Sequence, residues 1–168
     1  MNAIDQLCPN CGLCCDGSLF ADVELQPGDD AKRLAELGFS LTRKGRRKIA
    51  FVQPCACFDK KYCKIYSDRP RQCRLFECGV LKKVGAGKIT VDAALKTISE
   101  AKTLAAKVRA RLRAFKQRPD KQAMTLCYSE AMSTPIDLSH HDDFGEHHGE
   151  LMQTFGDLMS LLERDFLQ

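Results

Sequence analysis

Hydrophobic and polar positions give the two halves of the chain different periodicities. From Asp92 onward, apolar residues recur at intervals of three and four, which is the pattern of an amphipathic helix. This apolar stripe consists of Ala94, Ile98, Ala101, Ala105, Val108, Leu112 and Phe115. Pro119 is predicted to end this helix. A second helix is predicted over 121–132. A third is predicted over 149–166, with Leu151, Phe155, Leu158, Met159, Leu161 and Leu162 facing inward.

The first half of the chain shows shorter elements separated by turn residues. Alternation over 19–25 predicts a short strand, and the Pro27-Gly28 pair ends it. Asp29 or Asp30 is placed to cap a short helix running through Leu37. Two strand-like runs over 39–52 predict a hairpin with a basic tip at 43–48. The cysteine-rich segments 8–15 and 55–78 are predicted to be turns and loops with little regular structure.

These elements together predict an α+β fold in two parts. Residues 1–85 form a small cysteine-rich, metal-bound domain with short strands, a hairpin and irregular loops. Residues 86–168 form a helical extension of two to three helices packed on it, and Gly85-Ala86-Gly87 marks the boundary.

Ten cysteines and no tryptophan change what can stabilise the first half. The start of the chain has no basic, apolar leader, and no apolar run is long enough to span a bilayer. We therefore expect a cytoplasmic protein without a membrane segment. In a reducing compartment, clustered cysteines bind metal or do redox chemistry more often than they form disulfides. A bound metal could replace part of the core that this half lacks.

The net charge of +4 is unevenly distributed along the chain. Residues 1–85 carry 15 Lys and Arg against 10 Asp and Glu, whereas residues 86–168 carry 11 against 12. Thiolates around a metal leave negative charge, which the basic excess beside the cysteines can offset. The competing interpretation is an interaction module that uses the 43–48 tip and the basic helix to bind nucleic acid or an acidic protein. Nucleic acid is the less favoured partner.

The first cysteine cluster is Cys8-x2-Cys11-x2-Cys14-Cys15. Two residues between cysteines allow a tight turn to direct both sulfurs at one metal. The opening also resembles the C-x2-C-x2-C run of bacterial ferredoxins, but the adjacent Cys15 departs from it. Neighbouring residues of an extended chain point to different sides. Cys14 and Cys15 therefore serve either two separate metal sites or one polynuclear cluster.

A second cluster contributes four more thiols, at Cys55, Cys63, Cys73 and Cys78. Eight thiolates can form two four-thiolate sites, or one cluster and one structural zinc. Cys57 either substitutes for Cys55 or stays unligated. Cys127 lies on a predicted helix, where a single cysteine is usually a small buried hydrophobe.

Two groups of polar residues are further candidates for contact with a metal site. Arg69 and Arg74 can donate hydrogen bonds to sulfur or to nearby carbonyls around the metal, with ordinary surface charge as the alternative. The four histidines, His140, His141, His147 and His148, lie among acidic residues without a ligand spacing. We interpret that segment as a solvated acidic loop.

Four motifs in this order carry a family resemblance: Cys8-x2-Cys11-Gly12-x-Cys14-Cys15, Pro54-Cys55, Cys63-x-Ile65-Tyr66 and Arg69-Pro70-x2-Cys73-Arg74-x-Phe76. Over residues 8–80 the chain resembles the YkgJ-like cysteine-cluster proteins (CxxCxxCC). These are described as zinc- or iron-chelating domains and are often named Fe–S oxidoreductases. The resemblance implies eight metal ligands: Cys8, Cys11, Cys14, Cys15, Cys55, Cys63, Cys73 and Cys78. Cys57 departs from the family pattern, in which a hydrophobic residue is more usual.

The sequence thus predicts a metal-binding protein that holds an iron–sulfur cluster, zinc or both through about eight thiolates. A [4Fe–4S] cluster is slightly favoured over zinc, and it would allow redox or cluster-assisted chemistry. No catalytic constellation is recognisable, so no enzyme class is assigned. The alternatives are a zinc-stabilised interaction module and a protein for metal storage or delivery.

Overall fold

The computed structural model describes residues 3–133 and 143–168. In these residues seven helices accompany one small sheet, which confirms the predicted α+β class with a C-terminal helical part. The helices are α1 (Ala3–Cys11), α2 (Ala31–Glu36), α3 (Arg71–Leu75), α4 (Gly79–Gly85), α5 (Val91–Ala114), α6 (Met124–Ser133) and α7 (Asp143–Asp165). The strands are β1 (Asp22–Glu24), β2 (Leu41–Lys44) and β3 (Lys48–Val52), and one 3-10 turn covers Tyr66–Asp68.

The sheet is antiparallel, with the order β1-β3-β2. β2 and β3 form the predicted hairpin, and Val23 pairs with Phe51 across β1 and β3. Both side chains face a small core that also holds Leu34 and Phe39. β1 is shorter than predicted because Phe20 leaves the strand pattern and packs edge-to-face on Phe76, with ring centroids 5.0 Å apart.

The helical half confirms the predicted apolar stripe on α5. Ala94, Ile98, Ala101, Ala105, Val108 and Leu112 are all buried. Thr90 caps the helix by accepting a hydrogen bond from the Ala93 backbone N–H. α7 packs along α5, and Arg111 pairs with Glu150 between the two helices. No helix of the described residues is long and apolar enough to cross a membrane.

Two hydrophobic cores lie on the two sides of the cysteine-rich segments. The larger core combines the long helices with Leu7 of α1, Leu13, and Val80 and Leu81 of α4. The smaller core belongs to the sheet. Residues from both sides of position 85 therefore share the larger core. The division into parts 1–85 and 86–168 stays a prediction.

Two local predictions are wrong. Cys8 and Cys11 lie on α1 and not in a turn, because Leu7 is buried in the larger core and Lys102 donates a hydrogen bond to the Asn10 carbonyl near the end of that helix. The histidine segment is not simply a loop. His147 and His148 lie on α7, and His148 is buried against the Phe115 ring. His140 and His141 lie outside the described residues.

Candidate metal centre

Gly12 ends α1 and starts the loop that carries Cys14 and Cys15. Its φ of +77° lies in the left-handed region that favours glycine. A Cβ at this position would lie 2.5 Å from Cζ of Phe58. The Gly12 carbonyl accepts hydrogen bonds from the N–H groups of Cys15 and Asp16. Gly12 therefore fixes the turn between the first two thiols and the adjacent pair.

Four thiols gather on the side of the larger core, and we call them thiol set A. Set A consists of Cys8 and Cys11 of α1, Cys14 of the loop, and Cys78 at the N-cap of α4. Cys14 interacts electrostatically with the other three, and also with its neighbour Cys15. Cys8, Cys11 and Cys78 pack directly against the larger core. The helices therefore determine the position of set A.

The other four thiols gather on the side of the sheet, and we call them thiol set B. Set B consists of Cys15, Cys55, Cys63 and Cys73, since Cys15 interacts electrostatically with the other three. The Cys55 N–H donates to the Cys15 carbonyl at 2.8 Å. An isolated β-bridge joins Phe58 to Cys63. Cys55 and Cys73 pack against the smaller core.

The peptide between Cys14 and Cys15 separates the two sets and is held by side chains. Gln53 Nε2 donates to the Cys14 carbonyl at 3.1 Å. Arg109 of α5 pairs with the Asp16 carboxylate at 2.9 Å and donates to Ser18 Oγ at 2.8 Å. These contacts fix the loop on both sides of the junction. Adjacent cysteines can therefore face two different sites.

Burial raises the pKa values of Cys11, Cys14, Cys15, Cys55 and Cys73, and neighbouring thiols raise them further. The pKa of Cys11 rises to about 12 and that of Cys55 to about 12, while that of Cys14 lies well above its ordinary value. Burial also raises the pKa of Cys73 to about 11, although Arg69 opposes the shift. Buried thiolates without opposite charge are unfavourable. A bound cation would remove this penalty, because a coordinating thiol is deprotonated outright.

The thiols surround open space and do not form a closed coordination sphere. Among residues 3–133 and 143–168, no three Cys, His, Asp or Glu side chains already converge on a position for an ion. Seven of the eight thiols, all except Cys55, line a cavity of about 590 Å³. Its other walls include the aromatic rings of Phe20, Phe58, Tyr66 and Phe76. All ten cysteines, which lie within the described residues, are free thiols.

The remaining candidate residues occupy different surroundings. Arg69 lies 3.7 Å above the Tyr66 ring and near Cys73, and it lines the cavity together with the exposed Arg74. Cys57 is buried in the smaller core. The structure thus places Cys55 with the thiols of set B, and Cys57 within the smaller core. Cys127 is fully buried on α6, as predicted for a small hydrophobe.

Sequence reasoning missed several residues that support the site. Arg109 belongs to a run of charges that usually marks a solvated helix face. Gly79 follows Cys78, and its N–H donates to the Phe166 carbonyl at the end of α7 at 2.9 Å. No local pattern marks such long-range contacts. For Gln53 the sequence contains one weak indication of such a role, since this polar residue lies directly before Pro54-Cys55.

Comparisons with known proteins point to one family. A family model described as "CxxCxxCC: Putative zinc- or iron-chelating domain" matches residues 7–90, which is half of the chain and includes all eight thiols of sets A and B. No curated protein and no solved structure matches the chain. The family match therefore supports metal chelation without identifying the metal or an activity.

Proposed function

Since the chain belongs to the CxxCxxCC family of zinc- or iron-chelating domains, we propose that it binds metal in two four-thiolate sites. Thiol set A forms one site and thiol set B the other. The electrostatic grouping of the thiols on the two sides of the Cys14–Cys15 peptide carries this proposal. Four thiolates satisfy a tetrahedral zinc or one [4Fe–4S] cluster.

Iron–sulfur clusters are the proposed occupants. A tetrahedral zinc with Zn–S bonds of about 2.3 Å requires sulfurs about 3.8 Å apart. The thiols of each set lie close enough to interact but do not converge on an ion, and a cavity of about 590 Å³ lies among them. Open volume beside thiols that do not converge on one ion suits a polynuclear cluster better than a single ion. The aromatic walls would limit the access of water to it.

A role in electron transfer or cluster-assisted chemistry follows from these occupants. Iron–sulfur potentials depend on hydrogen bonds to sulfur and on solvent exposure. Arg69, held by the Tyr66 ring next to Cys73, is the proposed donor of this kind for set B. We place the protein in the cytoplasm, where ten free thiols remain reduced.

The test is the metal and acid-labile sulfide content of anaerobically purified protein, together with its visible absorption spectrum. Two [4Fe–4S] clusters predict a brown protein with iron and sulfide in comparable amounts. A colourless protein with zinc and no sulfide, even after reconstitution with iron, would replace the clusters by zinc. A protein that binds neither metal would overturn the proposed function.

Single substitutions test the division into two sites. Cys78→Ser should remove the metal of set A and leave that of set B, and Cys73→Ser should do the reverse. Cys127→Ser is the matched control, because this thiol is buried in the helical core. It should retain the full metal content. Loss of all metal in both ligand variants would indicate one shared cluster.

A further inference from the structure

Next to Cys63 and Cys73 of thiol set B, the cavity is lined by Arg69 and Arg74, which belong to a basic segment of the chain. Residues 59–77 contain six Lys and Arg against three acidic residues, Asp59, Asp68 and Glu77. The basic residues are Lys60, Lys61, Lys64, Arg69, Arg71 and Arg74. None of them takes part in the ion pairs between described residues, whereas Asp68 is paired with Arg33 at 2.8 Å. We call this surface, together with Tyr62 and Leu75, the basic rim.

Most of this charge is directed at solvent and does not neutralise the thiols. Arg69 lowers the pKa of Cys73, a thiol of set B, and Lys64 lowers the pKa of the buried Cys57. Lys61, Arg71 and Arg74 are exposed. Elsewhere in the cavity lining, Asp22 pairs with Lys44 and Glu24 with Lys48. The positive charge of the basic rim is therefore available to a partner.

The basic rim also carries exposed apolar surface. Leu75 is 63% exposed and Tyr62 is 55% exposed. Both are large hydrophobic side chains on the surface. Tyr62 lines the cavity, and Leu75 follows Arg74 on α3. Tyrosine and arginine around an apolar centre are enriched in protein interfaces. A leucine offers nothing to a phosphate backbone, so this composition favours a protein over nucleic acid.

We propose that the basic rim is the docking surface for an acidic protein partner, which would bind next to thiol set B. Charge complementarity identifies the partner's chemistry: carboxylates facing the rim cations, and apolar side chains facing Tyr62 and Leu75. The rims of two copies of this chain do not face each other in such a contact, because both are positive. The partner would thereby lie next to the thiol-lined cavity.

The experiment compares charge reversal at the rim with the same change at the hairpin tip. The rim variant is Lys61→Glu with Arg71→Glu, and the control is Arg46→Glu with Arg47→Glu. All four side chains are exposed. The probe is a fluorescent amphipathic peptide rich in glutamate and leucine, measured by anisotropy at near-physiological ionic strength. An all-glutamate peptide and a single-stranded oligonucleotide of the same length serve as comparisons.

The rim variant should bind the amphipathic peptide about tenfold more weakly than the unmodified protein, and the tip variant less than about twofold. The Leu75→Ser variant should bind the amphipathic peptide only as tightly as the unmodified protein binds the all-glutamate peptide. Equal losses of affinity for the amphipathic peptide in the rim variant and the tip variant would overturn the proposal. So would absence of peptide binding, or oligonucleotide binding that is tighter and lost only in the rim variant.

Two further measurements keep the result independent of folding and of the metal. Zero-length crosslinking of the amphipathic peptide to the unmodified protein should occur at Lys61 and Lys64, and not at Lys44 or Lys48. The metal content of every sample is measured in parallel. Full metal content without rim-specific binding refutes the docking surface alone, whereas absence of metal refutes the proposed function separately.

Discussion

Gly79→Ala tests the contact through which the end of α7 holds the residue next to Cys78. A Cβ at Gly79 would lie 2.5 Å from the Asp165 carbonyl oxygen and 3.2 Å from its carbon. These are backbone atoms and cannot rotate away. The Gly79 N–H also donates to the Phe166 carbonyl at 2.9 Å. The substitution must therefore separate the start of α4 from the end of α7.

The expected cost combines overpacking with a weakened hydrogen bond. Overpacking in a well-packed contact costs about 1–3 kcal/mol, and the hydrogen bond contributes about 0.5–1.5 kcal/mol. The free energy of unfolding should fall by about 2–4 kcal/mol. A domain of this size loses about 2–4 °C in Tm per kcal/mol, so the Tm should fall by about 4–16 °C.

Gly85→Ala, in the last turn of the same helix, provides the matched control. Nothing lies within 4 Å of a Cβ built at Gly85. Alanine is a better helix former than glycine, by up to about 1 kcal/mol. The Tm of Gly85→Ala should therefore equal or exceed that of the unmodified protein.

Thermal unfolding followed by circular dichroism, with metal content measured on the same samples, checks this prediction. Gly79→Ala should also lose metal from thiol set A before thiol set B, because Cys78 directly precedes the substituted residue. A Tm equal to that of Gly85→Ala would refute the argument that α7 positions this part of the site.

Three further predictions concern the loop, the ion pair and the thiols. Gly12→Ala should cost more stability than Gly28→Ala in chemical denaturation. Both positions have positive φ, but only Gly12 approaches a ring, that of Phe58. The left-handed backbone alone costs about 1–2 kcal/mol, and equal losses would refute the contact with the ring. Arg109→Ala should destabilise the protein by about 1–3 kcal/mol, since it leaves the partly buried Asp16 without its partner. The exposed Lys107→Ala should be neutral, and equal effects would contradict a bracing role. Metal-free, reduced protein should lose stability as the pH rises from about 9 towards 11–12, measured by urea denaturation with a chelator present. The folded-state pKa values of Cys11, Cys55 and Cys73, at about 12, 12 and 11, lie above the ordinary value of 9.0. The unfolded chain therefore releases its thiol protons at a lower pH than the folded protein does. The free energy of unfolding should be at its full value below pH 9 and should fall as the pH rises above it. A free energy of unfolding that stays constant over this pH range would refute the raised pKa values.

Elements whose signals are local can be predicted from short windows of the chain. The apolar stripe of α5, the short helix α2 and the β2–β3 hairpin follow from periodicity, capping and turn residues within short windows, although the choice between Asp29 and Asp30 as the cap of α2 does not. The cysteine spacings likewise indicated a metal-chelating family, because short spacings restrict where neighbouring sulfurs can lie. The helix containing Cys8 and Cys11 was missed, since packing of Leu7 decides it and local turn residues do not.

The grouping of the thiols, and the contacts that hold them in place, depend on tertiary packing. Cys78 joins Cys8 and Cys11, and Cys55 joins Cys15, through contacts between residues that lie far apart in sequence. Arg109 looks like surface charge until α5 is placed against the Asp16 loop. The physical reason is that side-chain proximity between distant segments depends on how complete helices and sheets pack, and no local spacing encodes that packing.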